Sequence, residues 1–212
     1  GTGGMMPMPS RFLTAMLARL NGRLALIDCG EGTQVTMKML GWGFKAIDVI
    51  CFTHFHADHI SGLPGLLLTI GNAGRTEPLT LIGPVGLQRI VEGLTLIAPE
   101  LPFPIEYIEL TQDAPNPIRV GAFEIHHCPA DHMVKCFAYR IDLKRKGKFD
   151  VKKAEQLKLP KPLWNKLQKE GSVEHEGKTY TADMVMGENR KGISVAYCTD
   201  SRPVDRITKF VE

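Results

Sequence analysis

The sequence predicts an α+β fold built from stacked layers of sheet and helix. Three observations carry this. The 212 residues are 43% hydrophobic and 23% charged, enough to bury a sizeable core beneath a charged surface, which excludes a mainly disordered chain. Apolar runs of strand length are mixed with runs at helical spacing, in an order that does not alternate strictly as a βαβ wind would. The chain also opens on an Asn-Gly pair between two apolar runs, the strongest short hairpin signal.

That hairpin is expected from Phe12 to Leu20 and from Arg23 to Asp28, turning at Asn21-Gly22. A Gly-rich turn, Cys29 to Gly32, feeds a helix whose apolar positions are Val35, Met39 and Leu40. Asp48 to Thr53 reads as a short buried strand leading straight into a His/Asp-rich loop. Ile60 to Ile70 reads as a helix with Pro64 early, ended by Gly71-Asn72. A strand at Leu79 to Ile82 and a helix from Val85 to about Ala98 follow. Strands are then expected at Ile105 to Leu110, Phe123 to Cys128 and Phe137 to Ile141. Residues 142–190 interrupt the pattern, being lysine-rich with little strand character. Ile193 to Cys198 resumes a buried strand, and Val204 to Val211 a helix. No internal repeat recurs at a fixed period.

No apolar stretch is long enough to span a membrane, and the opening GTGGMMPMPSRF lacks the basic-then-apolar layout of a signal peptide. Five cysteines, Cys29, Cys51, Cys128, Cys136 and Cys198, show no paired spacing. They read as free thiols of a reducing cytosol, with Cys29, Cys51 and Cys198 inside apolar strands.

The chemistry concentrates in Thr53-His54-Phe55-His56-Ala57-Asp58-His59. Imidazoles beside a carboxylate suit zinc, iron or manganese. His54 and His56 are two residues apart, so an extended backbone points them the same way. Asp58 and His59 follow at the start of a helix and approach from another side. One segment therefore offers two ligand pairs, as a two-metal site needs. An exposed loop of satisfied histidines would give no reason for these residue types to occur together.

His54-Phe55-His56-Ala57-Asp58-His59 resembles the HxHxDH signature of the metallo-β-lactamase superfamily. Asp28-Cys29-Gly30-Glu31-Gly32-Thr33-Gln34 resembles the DCGEGTQ element of its ribonuclease Z subgroup, the tRNA 3′-processing endonucleases. Pro129-Ala130-Asp131-His132 with Phe137-Ala138-Tyr139-Arg140 is similar to that subgroup's P-x-D-H…YGYR segment, and Tyr197-Cys198-Thr199-Asp200 to its strand ending in a metal-bridging aspartate. The resemblance implies a four-layer αββα sandwich across residues 1–212, with 142–190 an inserted basic arm.

It also implies site roles. His54, His56 and His132 would hold one zinc, Asp58 and His59 a second, and Asp200 would bridge them, with Asp58 also the catalytic carboxylate. Manganese or iron remain alternatives to zinc. His126 and His127 compete with His132, which the Pro-Ala-Asp-His context favours. Asp28 is expected to support the loop by hydrogen bonds rather than to bind metal. Glu31 and its neighbouring glycines either shape the site or simply make a tight turn. Members of the subgroup carry a His-Glu-containing motif after the bridging aspartate and a further histidine near the C-terminus, neither of which occurs in the residues after Asp200. The expectation is a fold incomplete at its C-terminal end, a fragment of a longer chain, the alternative being a degenerate protein with one intact zinc site.

The net charge of +3 is unevenly spread. Residues 142–169 hold ten Lys/Arg against three Asp/Glu, a net of +7, which leaves the rest at −4. Basic side chains of such an arm, Lys144, Arg145, Lys146, Lys148, Lys152 and Lys153, are suited to phosphate contacts. The arm stands where the subgroup grips the tRNA elbow, although Pro160-Lys161-Pro162 replaces its usual Gly-Pro motif. Trp164 either stacks on a base or, as favoured, packs the arm's helix. The resemblance thus implies a cytoplasmic, homodimeric endoribonuclease acting on precursor tRNA 3′ trailers. Two other readings stay open: a small-molecule phosphodiesterase or sulfatase of the same fold, and a non-catalytic RNA- or metal-binding paralogue. Loss of RNA cleavage on deleting the arm would separate the first, and metal stoichiometry the second.

Overall fold

The computed structural model describes every residue except Pro7, Pro99 and Lys146. The first half runs β1 (Met16–Leu20), β2 (Arg23–Ile27), α1 (Thr33–Leu40), β3 (Ile47–Cys51), α2 (Ala57–Ile60), α3 (Leu63–Asn72), β4 (Leu79–Pro84), α4 (Leu87–Leu94) and β5 (Ile105–Leu110). Then come β6 (Ile118–Val120), β7 (Phe123–Pro129), β8 (Phe137–Arg145), α5 (Val151–Gln156), α6 (Lys161–Glu170), β9 (Ser172–His175), β10 (Lys178–Thr181), α7 (Ala182–Val185), β11 (Arg190–Tyr197) and α8 (Asp205–Val211). The chain divides into two compact units, residues 1–142 with 194–212, and residues 143–193.

Strands β1 to β5 form one sheet in sequence order, an antiparallel hairpin followed by parallel neighbours. A second sheet has the order β11-β8-β7-β6. Period-2 alternation decides what each face meets. Leu24 and Leu26 of β2, Ile50 of β3 and Leu81 of β4 turn toward Met37, Leu63, Leu66, Leu67, Ile70 and Val91 of the helices. Ala25, Ile27, Val49, Cys51 and Ile82 turn the other way, onto Ile118, Phe123, Ile125, Tyr139 and Ile141 of the second sheet. Both faces of β2, β3 and β4 are therefore largely buried, which is why they read as mainly apolar runs, whereas the edge strand β5 carries Glu106 and Glu109. Helix α8 covers the far side of β7: the Arg140 guanidinium donates to the Phe210 carbonyl, with its carbon 5.1 Å from the centre of the Phe210 ring. The layers are helix, sheet, sheet, helix, as the resemblance implied.

Several local expectations need correction. Helix α1 forms where expected, but it buries Thr33 and Met37 and leaves Val35, Met39 and Leu40 exposed. The side chain that docks it is polar: Thr69 Oγ1 of α3 donates to Gln34 Oε1 at 3.1 Å. Strand β11 is exposed rather than buried, and Cys198 with it, because β11 is the edge of its sheet. β6 was not anticipated, since three residues carry too little periodicity.

Residues 142–190 are not weakly structured. The unit 143–193 has its own small core of Ala154, Leu159, Leu167, Val173 and Val185. Asp150 caps α5 by accepting from the Lys152 and Lys153 amides, and β9 and β10 pair as a hairpin. Trp164 donates its indole N–H to the Leu159 carbonyl at 2.8 Å and lies 5.4 Å from the Phe149 ring, a packing role.

Candidate metal centre

The loop after β3 carries three imidazoles to the carboxyl ends of the parallel strands, where open α/β sheets place their sites. His54 Nε2 lies 2.9 Å from His56 Nδ1, and His132 Nε2 lies 3.3 Å from the same His56 nitrogen. Asp200 Oδ2 lies 3.7 Å from His54 Nε2 and 3.5 Å from His59 Nε2. Asp58 Oδ2 is 3.6 Å from His59 Nε2. Asp200 thus stands between the His54/His56/His132 group and the Asp58/His59 pair.

The donor set fits a metal ion. One ligand atom from each of His54, His56, His132 and Asp200 lies within 4.8 Å of every other. Two tetrahedral ligands, each about 2.0–2.1 Å from a zinc-sized ion, would sit about 3.4 Å apart. His59 Nε2 is buried without a hydrogen-bond partner, an arrangement that costs free energy unless something else satisfies that lone pair.

The supports explain why these nitrogens converge. Asp28, fully buried at the end of β2, accepts from the Thr53 amide at 2.8 Å and the Thr53 hydroxyl at 2.8 Å. Its Oδ2 also lies 2.8 Å from His59 Nδ1, so that nitrogen carries the proton and Nε2 presents its lone pair. Gly30 is required by contact, because a Cβ there would stand 2.3 Å from the Asp58 carbonyl. The Cys29 amide donates to the His59 carbonyl at 2.7 Å, and Gly62 returns a bond to the Cys29 carbonyl at 2.9 Å. The turn after β2 is therefore laced to helix α2, and Glu31 sits exposed in it.

Two remote loops are tied to each other as well. The Arg202 amide donates to the Asp131 carbonyl at 2.9 Å and the Asp131 amide to Ser201 Oγ at 3.1 Å. Arg206 Nε donates to the Pro129 carbonyl at 2.7 Å. The segments carrying His132 and Asp200 are thus bonded to each other. Tyr139, in the Phe-Ala-Tyr-Arg segment, donates its hydroxyl to the Phe52 carbonyl at 2.8 Å beneath the loop.

At His54 the electrostatics agree with ligation, whereas at His59 the neighbouring carboxylates favour the protonated ring, which has to release its Nε2 proton to ligate. Burial, then the imidazoles of His59 and His56, push His54 down to about 3, so it is neutral at pH 7 as a ligand must be. Burial disfavours the charged forms of His59 and Asp200, but it is outweighed in each. The Asp28 hydrogen bond and charge hold His59 above its usual value, and the Thr199 hydroxyl with the His59 and His54 imidazoles hold Asp200 below its own.

Comparison with known proteins agrees with this geometry. A family profile for the metallo-beta-lactamase superfamily matches residues 11–142. A Ribonuclease Z of Agathobacter rectalis is 56% identical over 212 residues, covering all of this chain and 70% of its own length. A Ribonuclease Z of Clostridium acetobutylicum is 52% identical over 215 residues, 99% of this chain and 70% of the relative. The chain belongs to the ribonuclease Z family of the metallo-beta-lactamase superfamily. A crystal structure of human tRNase Z, short form, matches this family member with 30% identity and a TM-score of 0.58, over 66% of this chain and 62% of that one.

In this ribonuclease Z-family chain the competing histidines lie elsewhere. His126 Nε2 faces Asp142 Oδ2 at 3.1 Å, and His127 Nε2 faces the Pro115 carbonyl at 3.2 Å. Of the arm cations, Lys144, Arg145, Lys148, Lys152 and Lys153 are exposed, and Lys153 Nζ donates to the Met186 carbonyl at 2.8 Å. Lys146 lies outside the described residues. Thr53 and Cys136 were missed as site residues. The Thr53 hydroxyl is 3.1 Å from His54 Nδ1, and the Cys136 thiol 3.9 Å from it. Thr53 had a usable signal, since it directly precedes the first histidine at the end of a buried strand. Cys136 had none.

Proposed function

We propose that this chain is a metal-dependent endoribonuclease that removes 3′ trailers from precursor tRNA. The observation that carries the reading is the match along the full chain to proteins named Ribonuclease Z, in a sequence whose His54, His56, His132 and Asp200 bring donor atoms within 4.8 Å of one another. His54, His56 and His132 would hold one metal ion and Asp58 and His59 a second, with the Asp200 carboxylate beside both groups. Imidazole and carboxylate donors favour zinc. Metal ions there would lower the pKa of a bound water and offset charge on the scissile phosphodiester. Asp58 orients the attacking water and takes its proton. Asp28 keeps His59 in the tautomer that ligates.

The arm cations Lys144, Arg145, Lys146, Lys148, Lys152 and Lys153 hold the RNA backbone, giving affinity without sequence preference. The activity belongs in the cytoplasm, consistent with five free thiols. Two copies pair, and the exposed Val35, Met39 and Leu40 of α1 offer an apolar face for doing so. No helix among the described residues is long and apolar enough to cross a membrane.

Two measurements test the reading. Elemental analysis of the purified protein should give two metal ions per chain, together with cleavage of precursor tRNA at its 3′ side. A protein with one ion or none that binds RNA without cutting it would make the non-catalytic reading correct. Asp28→Asn is expected to weaken metal affinity about 10–100-fold, as removal of a ligand's orienting partner does. Titration against a competing chelator measures this, and unchanged affinity would remove Asp28 from the site.

A further inference from the structure

Beside the metal centre lies a hollow that the reading above leaves unused. Val85, just past β4, and Leu110, at the end of β5, meet Pro129 and Phe137 around a cleft of about 490 Å³. That volume falls within the about 300–1,000 Å³ of small-ligand sites. Gln112 and Lys135 add polar groups, both exposed.

The cleft shares a wall with the ligand loop. The Ala130 amide donates to the Cys136 carbonyl at 2.8 Å, closing the loop that carries His132, and both residues also line the cleft. Cys136 Sγ is 3.9 Å from His54 Nδ1, and the Phe137 amide donates to the Thr53 carbonyl at 3.0 Å. Anything in the cleft is therefore one side chain, that of Cys136, away from the His54 imidazole.

We propose that this cleft receives the base of a nucleotide next to the scissile phosphate. The proposal rests on the ribonuclease reading and adds the part of the substrate that this surface recognises. Its chemistry matches a base: apolar walls with the planar Phe137 ring and the aliphatic Pro129 ring suit a π-face, and the Gln112 amide offers a donor and an acceptor to a base edge. Lys135 has no hydrogen bond or ion pair among the described residues, and it lies three residues from His132. Its ammonium is placed for the phosphate adjoining that nucleotide. A phosphodiester held at the metal centre brings its flanking nucleotides to this wall without further folding of the protein.

The test pairs a protein change with a substrate change. Val85 is 45% exposed, so Val85→Trp fills the cleft without disturbing the core. Precursor tRNA is made with an intact base, or with an abasic residue, at each position flanking the cleavage site. In the unaltered full chain, one abasic position should lower kcat/KM about tenfold or more, the scale of a lost stacking contact. In Val85→Trp, intact and abasic substrates should be cut at the same reduced rate, with the metal content unchanged. Lys135→Ala should lower kcat/KM on both substrates and preserve the difference between them. If no abasic position affects the unaltered protein, or if Val85→Trp retains the full abasic penalty, the cleft is not a base site. An unaltered protein that cuts neither substrate overturns the ribonuclease reading itself, and this proposal with it.

Discussion

Asp58→Ala is expected to abolish phosphodiester hydrolysis while leaving the fold in place. In the proposed mechanism the substitution removes a ligand of the second ion and the group that takes the proton of the attacking water. A positioned general base alone contributes about 10²–10⁴-fold, so the combined loss should take kcat below that range. Stability should barely change. Asp58 lies on a four-residue helix held from behind by backbone bonds through His59 and Gly62, none of which involves its side chain. Metal content should fall toward one ion per chain, while thermal unfolding stays near that of the unaltered protein. Undiminished hydrolysis of precursor tRNA by the variant would sink the mechanism.

The second large effect concerns the arm. Replacing Lys144, Arg145, Lys146, Lys148, Lys152 and Lys153 together with alanine should cripple cleavage of precursor tRNA and spare hydrolysis of bis-p-nitrophenyl phosphate. If each cation meets one phosphate, the slope of log kcat/KM against log salt should flatten by about 4–5. Equal loss on both substrates, or an unchanged salt slope, would mean that the arm does not grip RNA. Substitution is a cleaner test than excising residues 143–169. That cut would remove Ala154, Leu159 and Leu167 from a core that they share with Val173 and Val185, stranding the rest of the unit.

The sequence was most legible where function depends on neighbours along the chain. His54, His56, Asp58 and His59 lie within six residues, and their convergence follows from the local backbone, an extended pair followed by the first turn of a helix. The Asn-Gly hairpin and the mainly apolar runs of β3 and β4 were legible for the same reason. The face that α1 buries was not. Val35, Met39 and Leu40 make the better apolar stripe, yet Gln34, Met37 and Thr33 make the contacts, because α3 beneath them offers a hydroxyl at Thr69. The 143–193 unit was misjudged likewise. Its high lysine content masked a core of only five buried side chains, spread across three helices, a strand and a connection.

What the sequence alone determined is the identity of the chemistry: three imidazoles and a carboxylate in one short segment, and a charge of +7 concentrated between residues 142 and 169. What only the tertiary structure decided is the company those residues keep. His132 and Asp200 are separated from His54 by long stretches of chain. They reach it because β7 and β8 pair in antiparallel register, with β11 beside β8. The loops that follow β7 and β11 then bond to one another through Asp131, Ser201 and Arg202. The choice of His132 over His126 and His127 was made there too. Spacing cannot rank three histidines that fall within seven residues, whereas the fold turns His126 and His127 of β7 to Asp142 and the Pro115 carbonyl and lets the loop beyond β7 bring His132 to 3.3 Å from His56.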